Sequence, residues 1–141
     1  MTTHPEETFD LHAGRDSAGD GHIRVAGDLD WETADELTRA ARDLLHAGPA
    51  PGRLRVACAG LTMCDSMGLA ALLMIRRDAA AVGTALHLDD QPPVLRRLLE
   101  ITGTAYLFGG SALGEERPDA DEWQASDNYS SARPSQAPPR Q

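Results

Sequence analysis

The stretch LTMCDSMGLAALL, Leu61 to Leu73, changes character at its centre. It continues an alternating apolar segment in which Leu54, Val56 and Cys58 share one side, the period of a strand. From Ser66 onward it turns into a long apolar run that reads as a helix reaching to about Val82 and closed by Gly83. A strand passing this directly into a helix puts Asp65 and Ser66 at the helix N-terminus, where free backbone N–H groups and the helix dipole favour negative charge. Capping by Asp65 or Ser66, worth about 1 kcal/mol, with Gly68 allowing close backbone packing, accounts for the pair on structural grounds alone. Whether the hydroxyl also serves chemistry depends on what surrounds it.

Upstream, Phe9, Leu11 and Ala13 alternate with polar neighbours, as do Ile23 and Val25, and Gly19-Asp20-Gly21 between them reads as the turn of a hairpin. In TADELTRAARDLLHAG, Ala34, Leu37, Ala41, Leu44 and Leu45 share a helical face. Thr33 with Glu36 forms a capping-box pattern, Asp35 and Arg39 stand four apart, and Gly48 ends the helix. Downstream, TALHL supplies a fourth strand, PPVLRRLLEI a proline-initiated third helix, and AYLF a last strand. The expected order is β-β-α-β-α-β-α-β, an α/β fold with helices packed on a small mixed sheet over residues 1–109. Residues 110–141, rich in Gly, Ser, Pro and acids, read as a disordered tail in which Trp123 and Tyr129 are either incidental or a weak docking motif.

Composition narrows the function. Among 141 residues the formal net charge is −9, and all 13 basic residues are arginines. So acidic a chain is a poor direct ligand for nucleic acid, although Arg76, Arg77, Arg96 and Arg97 either form a mildly basic face or are simply solvated. No apolar run is long enough to span a bilayer, no basic-then-apolar leader opens the chain, and two cysteines without CxxC spacing make a zinc site improbable. The expectation is a soluble cytoplasmic protein with reduced thiols, no metal and no cofactor. Catalysis is equally poorly supported: there is no GxSxG elbow, no GxxxxGK[ST] loop, no GxGxxG fingerprint, and no histidine spaced as a base for Ser66.

Three stretches in order, GDLDWETADEL, CDSMGLAALL and VLRRLLEITGTAYLF, resemble the STAS domain of bacterial anti-sigma factor antagonists across residues 8–109. The resemblance implies a binding module rather than an enzyme. Its partner would be an anti-sigma factor with a histidine-kinase-like ATPase domain, which phosphorylates the antagonist and so breaks the complex. Ser66, directly after Asp65, holds the phosphoacceptor place. Asp28, Asp30 and Trp31 fall in a region that meets the partner in that family, with Asp65, Met67 and Gly68 beside the acceptor. From the residues alone, Asp28 and Asp30 are equally turn residues, and Trp31 either touches a partner or packs down.

The family usually has a second hydroxyl after the acceptor, and here that place is Met67, although Thr62 lies nearby. Met63 and Met67 form either an adaptable contact patch or, for Met63, part of the core. A different function for the same fold is an accessory STAS subunit bracing a transport ATPase. A third is a small-ligand sensor that uses the helix N-terminus as an anion site.

Overall fold

The computed structural model describes residues 9–114. Four strands, β1 (Asp10–Arg15), β2 (Gly21–Leu29), β3 (Arg53–Cys64) and β4 (Ala85–Asp89), lie side by side in that order. β1 runs antiparallel to β2, as a hairpin must, whereas β2–β3 and β3–β4 are parallel. The parallel pairs are joined by helices α1 (Ala34–His46) and α2 (Ser66–Ala81). These helices pack against each other, and both contact the sheet. Ile23, Val25, Leu54, Val56, Cys58, Leu86 and Leu88 from the strands meet Leu37, Ala41, Leu45, Leu72, Ile75 and Ala79 from the helices in one buried cluster. The alternation legible in β2 to β4 is therefore the inner face of a mixed sheet.

The third helix, α3 (Pro93–Ile101), buries Leu95 and Leu99. The expected strand at AYLF is absent: Ala105–Leu107 is a single 3-10 turn, and Tyr106 is among the most exposed side chains at 83%. The chain leaves α3 through Gly103 at φ +73°, with the Thr104 N–H donating to Leu99 O at 2.9 Å, and this tight exit continues into the turn. Isolated bridges to this edge occur later, at Gly109 opposite His87 of β4 and Ala112 opposite Gln91 just beyond it. There the Leu88 N–H donates to Gly109 O at 2.8 Å and the Gln91 N–H to Ser111 O at 2.9 Å. A Cβ at Gly110 would collide with the Leu88 backbone, and one at Gly109 would lie 2.8 Å from His87 Nδ1. Two glycines, not the aromatic run, thus allow the chain to approach the edge strand. Residues 115–141 of the expected tail, Trp123 and Tyr129 among them, lie outside the described residues.

The expected capping box is also replaced. Thr33 makes no side-chain bond into α1. Its Oγ1 instead donates to Asp28 O at 2.8 Å and accepts from the Asp30 N–H at 2.9 Å, closing the turn before the helix. This local competition for a threonine hydroxyl is the one turns and caps share. The Asp35–Arg39 pair forms as expected, at 2.8 Å on the exposed face.

At the β1–β2 turn, Asp16 accepts from the Ala18 and Asp20 N–H groups and sits 2.9 Å from His22 Nε2 in a nearly buried pair. Burial pushes the Asp16 carboxyl up, but the His22 hydrogen bond, the backbone donors and the His22 charge outweigh it and hold the carboxyl below its usual range. A depressed folded value means Asp16 adds stability above the unfolded value of about 3.9, and that contribution is lost as pH falls through the folded value. Asp16→Ala should cost about 2 kcal/mol at pH 7, because it removes the carboxylate that His22 Nε2 and the Ala18 and Asp20 N–H groups share. Chemical denaturation at pH 7 and below pH 3 checks this: the gap between wild type and variant should narrow in acid.

Candidate functional site

The corner anticipated from Leu61–Leu73 lies at the carboxyl ends of the two central strands, β2 and β3. Leu29 pairs with Cys64, and Asp28 with Met63. Between Gly27–Leu61 and Asp28–Met63 the register slips by one, leaving Thr62 as an extra residue on β3. Such bulges re-aim side chains. Here Thr62 Oγ1 donates to Asp28 Oδ1 at 2.6 Å, which ties the two strand ends together.

Asp65 is extended at φ −100°, ψ −171°, and α2 begins at Ser66. The Asp65 N–H donates to Leu29 O at 3.2 Å, and Asp65 Oδ1 accepts from the Gly68 N–H at 2.9 Å. Of the two capping candidates it is therefore Asp65 that caps, with its carboxylate turned into the helix end. Asp65→Ala should cost about 1 kcal/mol, whereas Asp65→Asn, which keeps an acceptor, should lose only a few tenths. Thermal melts of the two variants separate these outcomes.

Ser66 is exposed, and its hydroxyl makes no hydrogen bond to the described residues. Met67 beside it is 52% exposed, and Trp31, in the turn after β2, is 68% exposed. Trp31 does not pack down. Asp30 Oδ1 accepts from the Glu32 N–H at 2.9 Å, so this aspartate shapes the turn that presents the tryptophan. Gly68 is buried, and Met63 is half-buried. The fold thus gathers Asp28, Asp30, Asp65, Ser66, Met67 and Gly68 around two adjoining strand ends, with Trp31 on the connecting turn. Asp28 and Asp65, however, spend their carboxylates on Thr62 and Gly68.

Chemically the corner offers an accessible hydroxyl at a positively polarised helix end, and among the described residues no base is hydrogen-bonded to it. Among the described residues the carboxylates of the same corner, Asp28 and Asp65, are already engaged by Thr62 and Gly68. The nearly buried His22 is bound to Asp16 at the far hairpin turn, and His12 lies 3.7 Å from Asp10 on β1. Cys58 and Cys64 are both free and buried. Burial, with smaller contributions from nearby acids, pushes the Cys58 thiol up, and burial with Asp65 pushes Cys64 up to about 12. Neither is a ready nucleophile. No described group of three or more His, Cys, Asp or Glu is arranged to hold a metal ion, and no described helix is long and apolar enough to cross a membrane.

The helix-connected mixed sheet, with an exposed hydroxyl at its strand ends, defines a small α/β module. Residues 13–108 match the family model described as "Mlab, STAS domain", and the chain belongs to the STAS family. No curated protein matches it. Among solved structures it is similar to an anti-sigma factor antagonist from Mycobacterium paratuberculosis, at 21% identity and TM-score 0.62, covering 77% of this chain and 89% of that one. It is also similar to the anti-sigma factor antagonist SpoIIAA in its unphosphorylated form, at 18% identity and TM-score 0.63, covering 73% and 89%. SpoIIAA, a Bacillus cell fate determinant, has also been solved in a phosphorylated form. A sulfate transporter family protein from Wolinella succinogenes matches at 19% identity and TM-score 0.58, covering 67% and 75%. At these identities the likeness is one of fold.

Sequence reasoning placed the corner and narrowed its cap to Asp65 or Ser66, of which the structure selects Asp65. It missed the bond between Thr62 and Asp28, whose only sequence signal was a threonine where strict alternation fails.

Proposed function

We propose that this chain is an anti-sigma factor antagonist, a binding module and phosphoacceptor rather than an enzyme. It occupies an anti-sigma factor that carries a histidine-kinase-like ATPase domain, and so releases the sigma factor held there. Phosphorylation of Ser66 by that partner ends the complex. The observation that carries this reading is the exposed Ser66 hydroxyl at the N-terminus of α2, flanked by exposed Met67 and Trp31. Phosphoryl transfer asks little of the acceptor beyond position, because the partner's Mg-ATP site supplies the electrostatic stabilisation. The Thr62 hydroxyl is held by Asp28, so Ser66 is the better-presented of the two. The likeness to SpoIIAA, which has a phosphorylated form, supports the same assignment. The protein acts in the cytoplasm, where its thiols stay reduced, and contacts neither membrane nor nucleic acid directly.

A second reading, an accessory STAS subunit bracing a transport ATPase, is favoured by the likeness to a sulfate transporter family protein. Incubation with candidate anti-sigma ATPases and Mg-ATP, followed by mass mapping, tests the first reading: phosphate should appear on Ser66. Modification confined to Thr62 relocates the site. Capture of a transport ATPase in place of an anti-sigma factor supports the second.

A further inference from the structure

Gln91 ties the last described residues to α3. Its backbone oxygen accepts from the Leu113 N–H at 2.8 Å, and its side-chain Oε1 accepts from Arg96 Nη1 at 3.3 Å. The described chain therefore ends, at Gly114, beside the first turns of α3. Along that helix the exposed Val94, Arg97 and Ile101 stand at i, i+3 and i+7, so they share one face. Arg97 has no hydrogen bond or ion pair with the described residues, whereas Arg39, Arg42, Arg53, Arg55 and Arg96 each face a carboxylate. Arg77 on α2 is likewise unpaired among the described residues, but the chain leaves beside α3. The sequence that follows directly is EERPDADE, residues 115–122, with five acids and one arginine, and then Trp123.

We infer that the acidic segment 115–122 of this same chain docks along the Val94–Arg97–Ile101 face of α3, with Trp123 against Ile101. This goes beyond the proposed function and depends on neither the partner nor phosphorylation. The reach suffices: nine residues from Gly114 to Trp123 span at most about 30 Å, while the nine residues of α3 rise only about 14 Å. The charges are complementary. A run of like charges repels itself, and the nearest cation without a carboxylate among the described residues is Arg97, on the helix beside which the segment starts. Each exposed ion pair is worth at most about 1 kcal/mol, so two separate molecules would hardly associate through it. The tether changes this, because a short linker holds the segment at roughly millimolar effective concentration. Trp123 adds apolar area where α3 has most to cover, Ile101 being 73% exposed. The acidic run and the tryptophan thus meet a cation and an apolar side chain in the order in which α3 presents them.

A nitroxide label on Ala125→Cys in the full chain tests the inference by NMR. Cys58 and Cys64 are buried, so the label goes to the added thiol. With the label oxidised, the amides from Arg97 to Ile101 should lose most of their intensity, and reduction of the nitroxide should restore it. Arg97→Glu should return intensity at Ile101 severalfold, and raised salt should act in the same direction. Trp123→Ala should also return intensity at Ile101. Arg39→Glu, the same change of charge on the exposed face of α1, should leave the broadening in place. Both arginines are exposed, and thermal melts check that each variant keeps the fold. Broadening that stays near Gln91, where the tether alone brings the label, overturns the inference, and so does broadening at Ile101 that Arg97→Glu leaves unchanged.

Discussion

Gly68→Ala should lower the melting temperature by about 10 °C or more, a larger loss than any exposed substitution at the same corner. A Cβ at this position would collide with the carbonyl oxygen of Leu29 and would lie 2.9 Å from both Cys64 Sγ and Leu29 Cγ. The oxygen is backbone, held at the end of β2 and already accepting from the Asp65 N–H, so no rotamer change clears it. Either α2 lifts from the sheet and its cap loosens, or β2 shifts against β3. Overpacking of this kind costs about 1–3 kcal/mol where side chains yield, and rigid backbone puts Gly68 at the upper end. For a domain near 100 residues each kcal/mol moves the melting temperature by roughly 4–8 °C. Gly52→Ala is the control: its nearest contact would be Asp20 Oδ1 at 3.7 Å, and its φ is not in the left-handed region. It should melt within a degree or two of wild type. A Gly68→Ala variant as stable as that control would mean the corner is looser than these contacts state.

The same corner shows what could be read from the sequence and what could not. Where burial sets the pattern, the sequence carried it plainly: Leu54, Val56 and Cys58 alternate because β3 is covered on one side, and Leu37, Ala41 and Leu45 recur because α1 lies on the sheet. A cap at Asp65 or Ser66 was legible because only a few residue types satisfy helix-end donors, but both belong to that set, and only the structure assigns the cap to Asp65. AYLF misled because aromatic and aliphatic residues favour strands on average, while the tight exit at Gly103 had already committed the chain to a turn. The true edge pairing rests on Gly109 and Gly110, whose service is the absence of a side chain, and a glycine pair beside a polar segment reads as the start of a tail. Thr33 fitted a capping box by spacing, yet its hydroxyl went to Asp28 O and the Asp30 N–H. Spacing names a donor but not which of several nearby acceptors wins. Trp31 was undecidable from sequence because neither packing nor exposure leaves a periodic trace in a three-residue turn.

Ser66→Asp should weaken binding to the proposed anti-sigma partner by about a hundredfold or more, while Ser66→Ala binds within about threefold of wild type. Neither change should disturb the fold. The side chain is exposed, and an added charge at a helix N-terminus is worth roughly 0.3–1 kcal/mol in favour, partly offset by repulsion from Asp65. The whole effect therefore falls on the complex. A partner surface shaped around a neutral hydroxyl must desolvate the new carboxylate without compensating donors, at a cost of several kcal/mol, and each 1.4 kcal/mol is about a factor of ten in affinity. Phosphoserine carries roughly −1.5 to −2 charges against the single charge of aspartate, so the phosphorylated chain should bind more weakly still than Ser66→Asp. Calorimetric titration alongside thermal melts separates the two ways of losing affinity: a drop in binding with an unchanged melting temperature places the effect at the interface, and a drop in both places it in the fold. Equal affinity for Ser66→Ala and Ser66→Asp would remove Ser66 as the switch. The corner would then retain only the structural duties of Asp65 and Gly68, which require no partner.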